Sequence, residues 1–222
     1  MKTAAPQLAS VILLSLLAQA CGDRNAAKPP APKFPVTVEV SDNTFRNDYF
    51  GMTAKKPESW HALTPEQQEQ LLGMGADLAS SGHDDMKKIL DVSAKRLHPL
   101  FAFFKHELGA PVPFNPNVLA LAENTSFMPG MKTGKDYFYQ SKKMMNQTGM
   151  NYEFGEQYSR TMIGGVAFDV MDVTLNFNGD SIKQKYYAAR HGDHFISIVE
   201  SYGADELKVE TAAILDSIEL NW

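Results

Sequence analysis

Residues 151–201 read NYEFGEQYSRTMIGGVAFDVMDVTLNFNGDSIKQKYYAARHGDHFISIVES. Strands are expected over Asn151–Arg160, Val166–Phe177, Ser181–Arg190 and His194–Ser201. Gly164-Gly165, Asn178-Gly179 and Gly192-Asp193 connect them. Such pairs reach positive φ, which two-residue turns between antiparallel strands require. The C-terminal half is therefore read as consecutive hairpins.

Working outward, Thr64-Pro65-Glu66-Gln67 opens a helix running to about Ser80. Thr64 is its N-cap, Pro65 suits the first helical position, and Gln67 completes a capping box. A second helix is expected from Asp84 to about Lys95, with Met86, Ile89, Leu90 and Leu97 on one face. Thr133 caps a third, from Gly134 to about Gln147, and a fourth runs from Asp205 to about Asp216. Further strands are expected over Val36–Val40, Thr44–Thr53, Leu100–Phe104, Asn117–Thr125 and Ile218–Leu220. The loop at Gly109 to Pro113 separates Leu100–Phe104 from its neighbour Asn117–Thr125. Hairpins with interspersed helices mean α+β, an antiparallel sheet with helices packed on it.

The chain has 222 residues, 44% hydrophobic and 21% charged, which suits a single globular domain. Lys2 is the one charged residue in 1–20, so the net charge of −5 becomes −6 beyond it. That balance argues against nucleic acid as a partner, because phosphate binding needs concentrated positive charge. No basic stripe is expected to hold an anionic membrane surface. Beyond residue 20 no stretch approaches the roughly 18 apolar residues of a spanning helix.

The first 20 residues are organised differently. Lys2, the apolar stretch Leu8–Leu17 and the small residues Ala18-Gln19-Ala20 read as a cleavable signal peptide over 1–20. Cys21 follows, the only cysteine in the chain, so no internal disulfide forms. This start resembles the lipobox of bacterial lipoproteins, which implies a lipidated Cys21 and a membrane anchor. Ala18 stands where that pattern usually has Leu, and Ala18-Gln19-Ala20 equally fits a general signal-peptidase site. Gly22 after the cysteine implies, by resemblance to enterobacterial sorting, the outer membrane facing the periplasm. Residues 21–35, with prolines at 29, 30, 32 and 35, read as a spacer, and 36–222 as one domain.

Three places carry a further likeness: Tyr49–Met52 followed by Pro57–Trp60; Gly164–Phe168 with Lys183–Tyr187; and Ile214–Ile218. In this order they resemble the PsbP-like group, an α/β/α sandwich shared with Mog-type proteins and DcrB-type bacterial lipoproteins. The resemblance implies a fold used in binding or assembly, without catalysis.

The search for chemistry returns little. His191 and His194 flank a turn and are the candidate metal ligands, for zinc or copper. The other reading of that turn is a surface hairpin whose flanking side chains face water. His61 beside Trp60 reads as packed or exposed, and the remaining histidines are scattered. Met128, Met131, Met144, Met145 and Met150 suit a soft metal by type, but Met144 and Met145 point about 100° apart on a helix and read as core. Gly73-Met74-Gly75 reads as a helix bend or stop. Asp169 and Asp172 lie an odd number of residues apart on one strand, so they face opposite sides. Asn115–Asn117 and Ser126–Met131 are loops with apolar residues, either a partner surface or loop packing. No catalytic motif and no cofactor motif is found. The expected function is a non-catalytic, lipid-anchored binding or assembly protein of the bacterial envelope with a protein partner there. The alternative is a metal- or small-ligand-binding envelope protein using His191 and His194.

Overall fold

The computed structural model describes residues 39–41, 43–80, 83–177, 179–203 and 208–222. The expected signal peptide over 1–20, Cys21 with the expected spacer over 21–35, residues 36–38, Asn178 and the expected start of the last helix at 205–207 lie outside them.

In chain order the elements are β1 (Glu39–Ser41), β2 (Thr44–Asn47), β3 (Met52–Lys55), β4 (His61–Ala62), α1 (Pro65–Ser80), α2 (Asp84–Ala94), β5 (Leu97–Phe104) and β6 (Asn117–Asn124). They continue with α3 (Gly134–Met145), β7 (Asn151–Phe154), β8 (Ser159–Ile163), β9 (Val166–Phe177), β10 (Asp180–His191), β11 (His194–Tyr202), α4 (Lys208–Asp216) and β12 (Glu219–Leu220). The fold is α+β, and every strand pairing is antiparallel.

The expected hairpins form the centre. The large sheet runs β4-β5-β6-β11-β10-β9-β7, with β8 also beside β9. Ile163 pairs with Val166 across Gly164-Gly165, whose φ of 56° and 82° are the left-handed values this turn needs. A Cβ on Gly164 would stand 2.8 Å from the Leu220 nitrogen, so β12 crosses here only because the side chain is missing.

β11 explains why the sheet sits at the middle: all nine of its residues are buried. Phe195 and Val199 face a core shared with α1, α2 and α3, while Ile196 and Ile198 face the opposite core. The second core is closed by α4 and by a separate four-stranded sheet, β1-β2-β3-β12. Three layers result, with the large sheet between helices and the small sheet.

Several boundaries depart from the sequence reading. Thr44–Thr53 is not one extended stretch but the β2–β3 hairpin, because Asn47 accepts from the Phe50 N–H at 3.0 Å and Gly51 is left-handed. Asn151–Arg160 divides into β7 and β8, which lie end to end along β9. Gly155 still donates to the Asp172 carbonyl, but the chain then leaves the ladder and Tyr158 stacks on Phe138 of α3, centroids 5.7 Å apart. Leu97 belongs to β5, not to the helix before it, although it buries beside Leu90. Finally, the terminal strand joins the small sheet through β3.

The expected capping box of α1 forms, and the expected cap of α3 proves to be a second one. Thr64 N–H donates to Gln67 Oε1 at 2.9 Å, and Gln67 N–H donates to Thr64 Oγ1 at 3.3 Å. Thr133 does the same with Asp136. Gly73 and Gly75 lie inside α1 and neither ends it. Among the described residues, no helix is long and apolar enough to cross a membrane.

Candidate functional site

The Gly192-Asp193 turn makes His191 and His194 directly opposed partners of β10 and β11. Opposed residues share a face, here the one covered by the small sheet. The β2–β3 turn supplies Phe50, whose ring lies 5.3 Å from that of His194 and 6.5 Å from that of His191. Tyr49 approaches His194 at 6.2 Å, and Trp222 approaches His191 at 4.7 Å. The Trp222 indole N–H donates to the Phe50 carbonyl at 2.9 Å, pinning this end together.

β5 adds a residue that the sequence reading left among the scattered histidines. His98 stands opposite Ala122 of β6, and its ring comes within 6.2 Å of that of His194. Asn124 Nδ2 lies 3.5 Å from His194 Nε2. Burial, with His194 adding to it, lowers His98 to about 4. Burial also lowers His194, which His191 reinforces and the nearby Asp193 carboxylate opposes. His98 and His194 are therefore neutral at pH 7. The surface reading of the turn fails for His194, which is buried. Neutral imidazoles can accept hydrogen bonds or bind metal, but among the described residues no group of three His, Cys, Asp or Glu side chains is placed to hold an ion.

The remaining candidates disperse. His61 is exposed, 4.0 Å from Glu107, while Trp60 is buried and donates to Glu210 at 3.2 Å. Met131, Met144 and Met145 are buried in the helix-side core, with Met128 and Met150 packed against it. Asp169 and Asp172 do face opposite sides. Asp169 is buried, takes two N–H bonds from Arg160 at 3.0 and 3.1 Å, and accepts the Lys135 N–H at 3.3 Å. Asp172 pairs with Lys185 at 3.4 Å on the other face. Cys21 lies outside the described residues.

The two apolar loops take different paths. Asn115 folds back, its amide holding both the N–H and the carbonyl of His106 at 2.9 and 2.8 Å. In the other loop Met131 is buried, but Phe127 stays 41% exposed beneath the Arg96 guanidinium, 3.9 Å from its centroid. Phe127, Met128, Met131 and Tyr139 border a surface groove of about 420 Å³ against α3.

No family model matches the chain, and neither does any curated protein. Among solved structures it is similar to cyanobacterial PsbP (CyanoP) from Synechocystis sp. PCC 6803, at 12% identity and a TM-score of 0.49, covering 80% of this chain and 91% of that one. It is also similar to LpqN of Mycobacterium tuberculosis, a protein involved in cell envelope biogenesis, at 9% identity and a TM-score of 0.44. That likeness covers 77% of this chain and 83% of LpqN. Both scores fall below 0.5, so neither likeness carries an argument about binding or activity. The α+β class stands on the sheets and helices themselves.

Proposed function

We propose that this chain is a non-catalytic, lipid-anchored binding or assembly protein of the bacterial cell envelope, PsbP-like in architecture and akin to DcrB-type lipoproteins. The observation that carries the reading is Cys21: it is the sole cysteine, it follows Ala18-Gln19-Ala20 directly, and it precedes a proline-rich stretch. Acylation there attaches a chain whose described helices cannot span a bilayer. Gly22 favours the outer membrane, facing the periplasm. The buried carboxylates Asp169 and Glu200 are each taken up by hydrogen-bond partners within the fold.

The test is the intact mass of protein extracted from membranes, with Cys21→Ser as control. A mass increment of acyl chains, lost in the control, supports the anchor; an unmodified Cys21 overturns it. Cross-linking in intact cells then asks for an envelope partner that is lost in the control.

The second reading, metal or small-ligand binding through His191 and His194, is favoured by the approach of His98 to His194. Equilibrium dialysis against Zn(II), Cu(II) and Cu(I) decides it. Equal, weak binding by the parent and a His191→Ala/His194→Ala variant removes it.

A further inference from the structure

The outer face of α3 carries a basic stripe that the sequence reading did not expect. Lys135, Tyr139 and Lys143 recur at four-residue spacing, so they line up on one side of the helix. All three are exposed, Tyr139 by 67%, and Lys132 just before the helix is exposed too. Opposite them Tyr137, Phe138, Ser141, Met144 and Met145 are buried. The one acid in α3, Asp136, is tied into the cap and accepts from the N–H groups of Lys132 and Thr133 at 3.0 and 2.8 Å. Helix N-terminal dipoles offset part of its charge. Across the groove lie Phe127 and Arg96.

The α1–α2 pair has the opposite balance: Glu66, Glu69, Asp77, Asp84, Asp85 and Asp91 against Lys87 and Lys88. A chain of net charge −5 thus gathers cations where two of its exposed aromatic side chains, Phe127 and Tyr139, also lie. Interfacial aromatics flanked by lysine and arginine match a headgroup layer, apolar below and anionic above. An acidic peptide would satisfy the charges. It would not need Phe127 and Tyr139 exposed together beside the lysines.

We propose that this face is a docking surface for an anionic lipid bilayer. Phe127, Met128 and Tyr139 enter the headgroup region, and Lys132, Lys135, Lys143 and Arg96 meet the phosphates. The proposal extends the envelope reading to a second membrane contact, and it rests on this face and not on Cys21. It sets the orientation of the domain: α3 toward the lipid, the histidine end and small sheet on the far side of the large sheet.

The experiment is co-sedimentation of the full chain carrying Cys21→Ser, so that no acyl chain contributes, with vesicles of phosphatidylcholine alone or mixed with phosphatidylglycerol. Residues 1–20 are common to every sample, and their contribution cancels between parent and variant. Expected is salt-sensitive binding to the mixed vesicles, reduced on the order of tenfold or more by Lys135→Glu/Lys143→Glu. Phe127→Ser/Tyr139→Ser weakens binding with less change in the salt dependence. Lys135→Gln/Lys143→Gln, the gentler change, gives an intermediate loss and guards against a folding defect, checked by thermal melts. Equal binding to both vesicle types, equal binding by parent and lysine variants, or capture of poly-glutamate without vesicle binding each overturns the proposal. A lipid-free mass for Cys21 would sink the anchor and leave this result standing.

Discussion

On the helix side of the large sheet, the Tyr137 hydroxyl donates to Glu123 at 2.8 Å, and Asp169 clamps the start of α3 through the Lys135 N–H while holding Arg160. On the opposite side, Glu200 accepts from Tyr187 at 2.8 Å and from Thr211 of α4, and the far end closes on three histidines and aromatic rings. One face is held by carboxylates at helix ends, the other by a buried carboxylate at its centre and imidazoles at its edge. The difference is in what proton uptake does. Burial disfavours the charged imidazoles of His98 and His194, so protonation at that edge opposes folding.

The largest effect is expected at Glu200, which is buried and serves two hydroxyls. Burial first, then the Glu200 charge, pushes the Tyr187 hydroxyl up, so Tyr187 remains a donor. Glu200→Ala leaves the Tyr187 hydroxyl without its acceptor and Thr211 with its bond to the Lys208 carbonyl, and should cost about 3 kcal/mol in urea unfolding. Glu200→Gln, with one acceptor oxygen left, should cost about half of that. A loss under about 0.5 kcal/mol would mean the small-sheet face does not depend on this network.

Asp169→Ala tests the helix face and should cost about 2 kcal/mol, because the Lys135 N–H and the Arg160 guanidinium lose their partner. Gly134 belongs to the same clamp: a Cβ there would stand 2.5 Å from the Ala188 carbonyl and 2.7 Å from the Asp169 Cβ. Next in size, Thr133→Ala removes the cap of α3 and should cost about 1 kcal/mol. Hydrogen exchange confined to the first turn of α3 would confirm that the loss is local.

The smallest effect separates the two faces by pH. The folded value of His98, about 4, lies below its ordinary 6.5, so the unfolded chain binds more protons between those values. Its contribution is complete above pH 6.5 and is lost as pH falls toward 4. His194 acts in the same direction. Tm should therefore fall on acidification across this window, and His98→Gln should flatten the slope. The change is small because His98 is only half-buried and solvent screens it. An unchanged slope in His98→Gln would remove the histidine end as the pH-responsive region.

How much of this was readable beforehand depended on distance along the chain. The turns at Gly164-Gly165 and Gly192-Asp193 lie between strands adjacent in sequence, so their residue types were sufficient to set the β8–β9 and β10–β11 pairings. The caps at Thr64 and Thr133 act within three residues and were equally legible. The break between β7 and β8 was not, because it depends on Tyr158 packing against Phe138 from another element. His98 joined His194 only through two ladders, β5 to β6 and β6 to β11. The histidine pair at the turn was visible; its burial and its third member required the register.

Alone, the sequence determined the α+β class, the hairpin turns and the helix starts at Thr64 and Thr133, since each depends on neighbours within a few residues. Tertiary structure decided what lies far apart in the chain. It paired β12 with β3 as the fourth strand of a second sheet, placed Phe50 and Trp222 on the histidines, and aligned Phe127 with the lysine face of α3. The physical reason is that side-chain chemistry acts over a few ångströms in space, whereas residue order reports only the neighbours that the backbone itself brings that close.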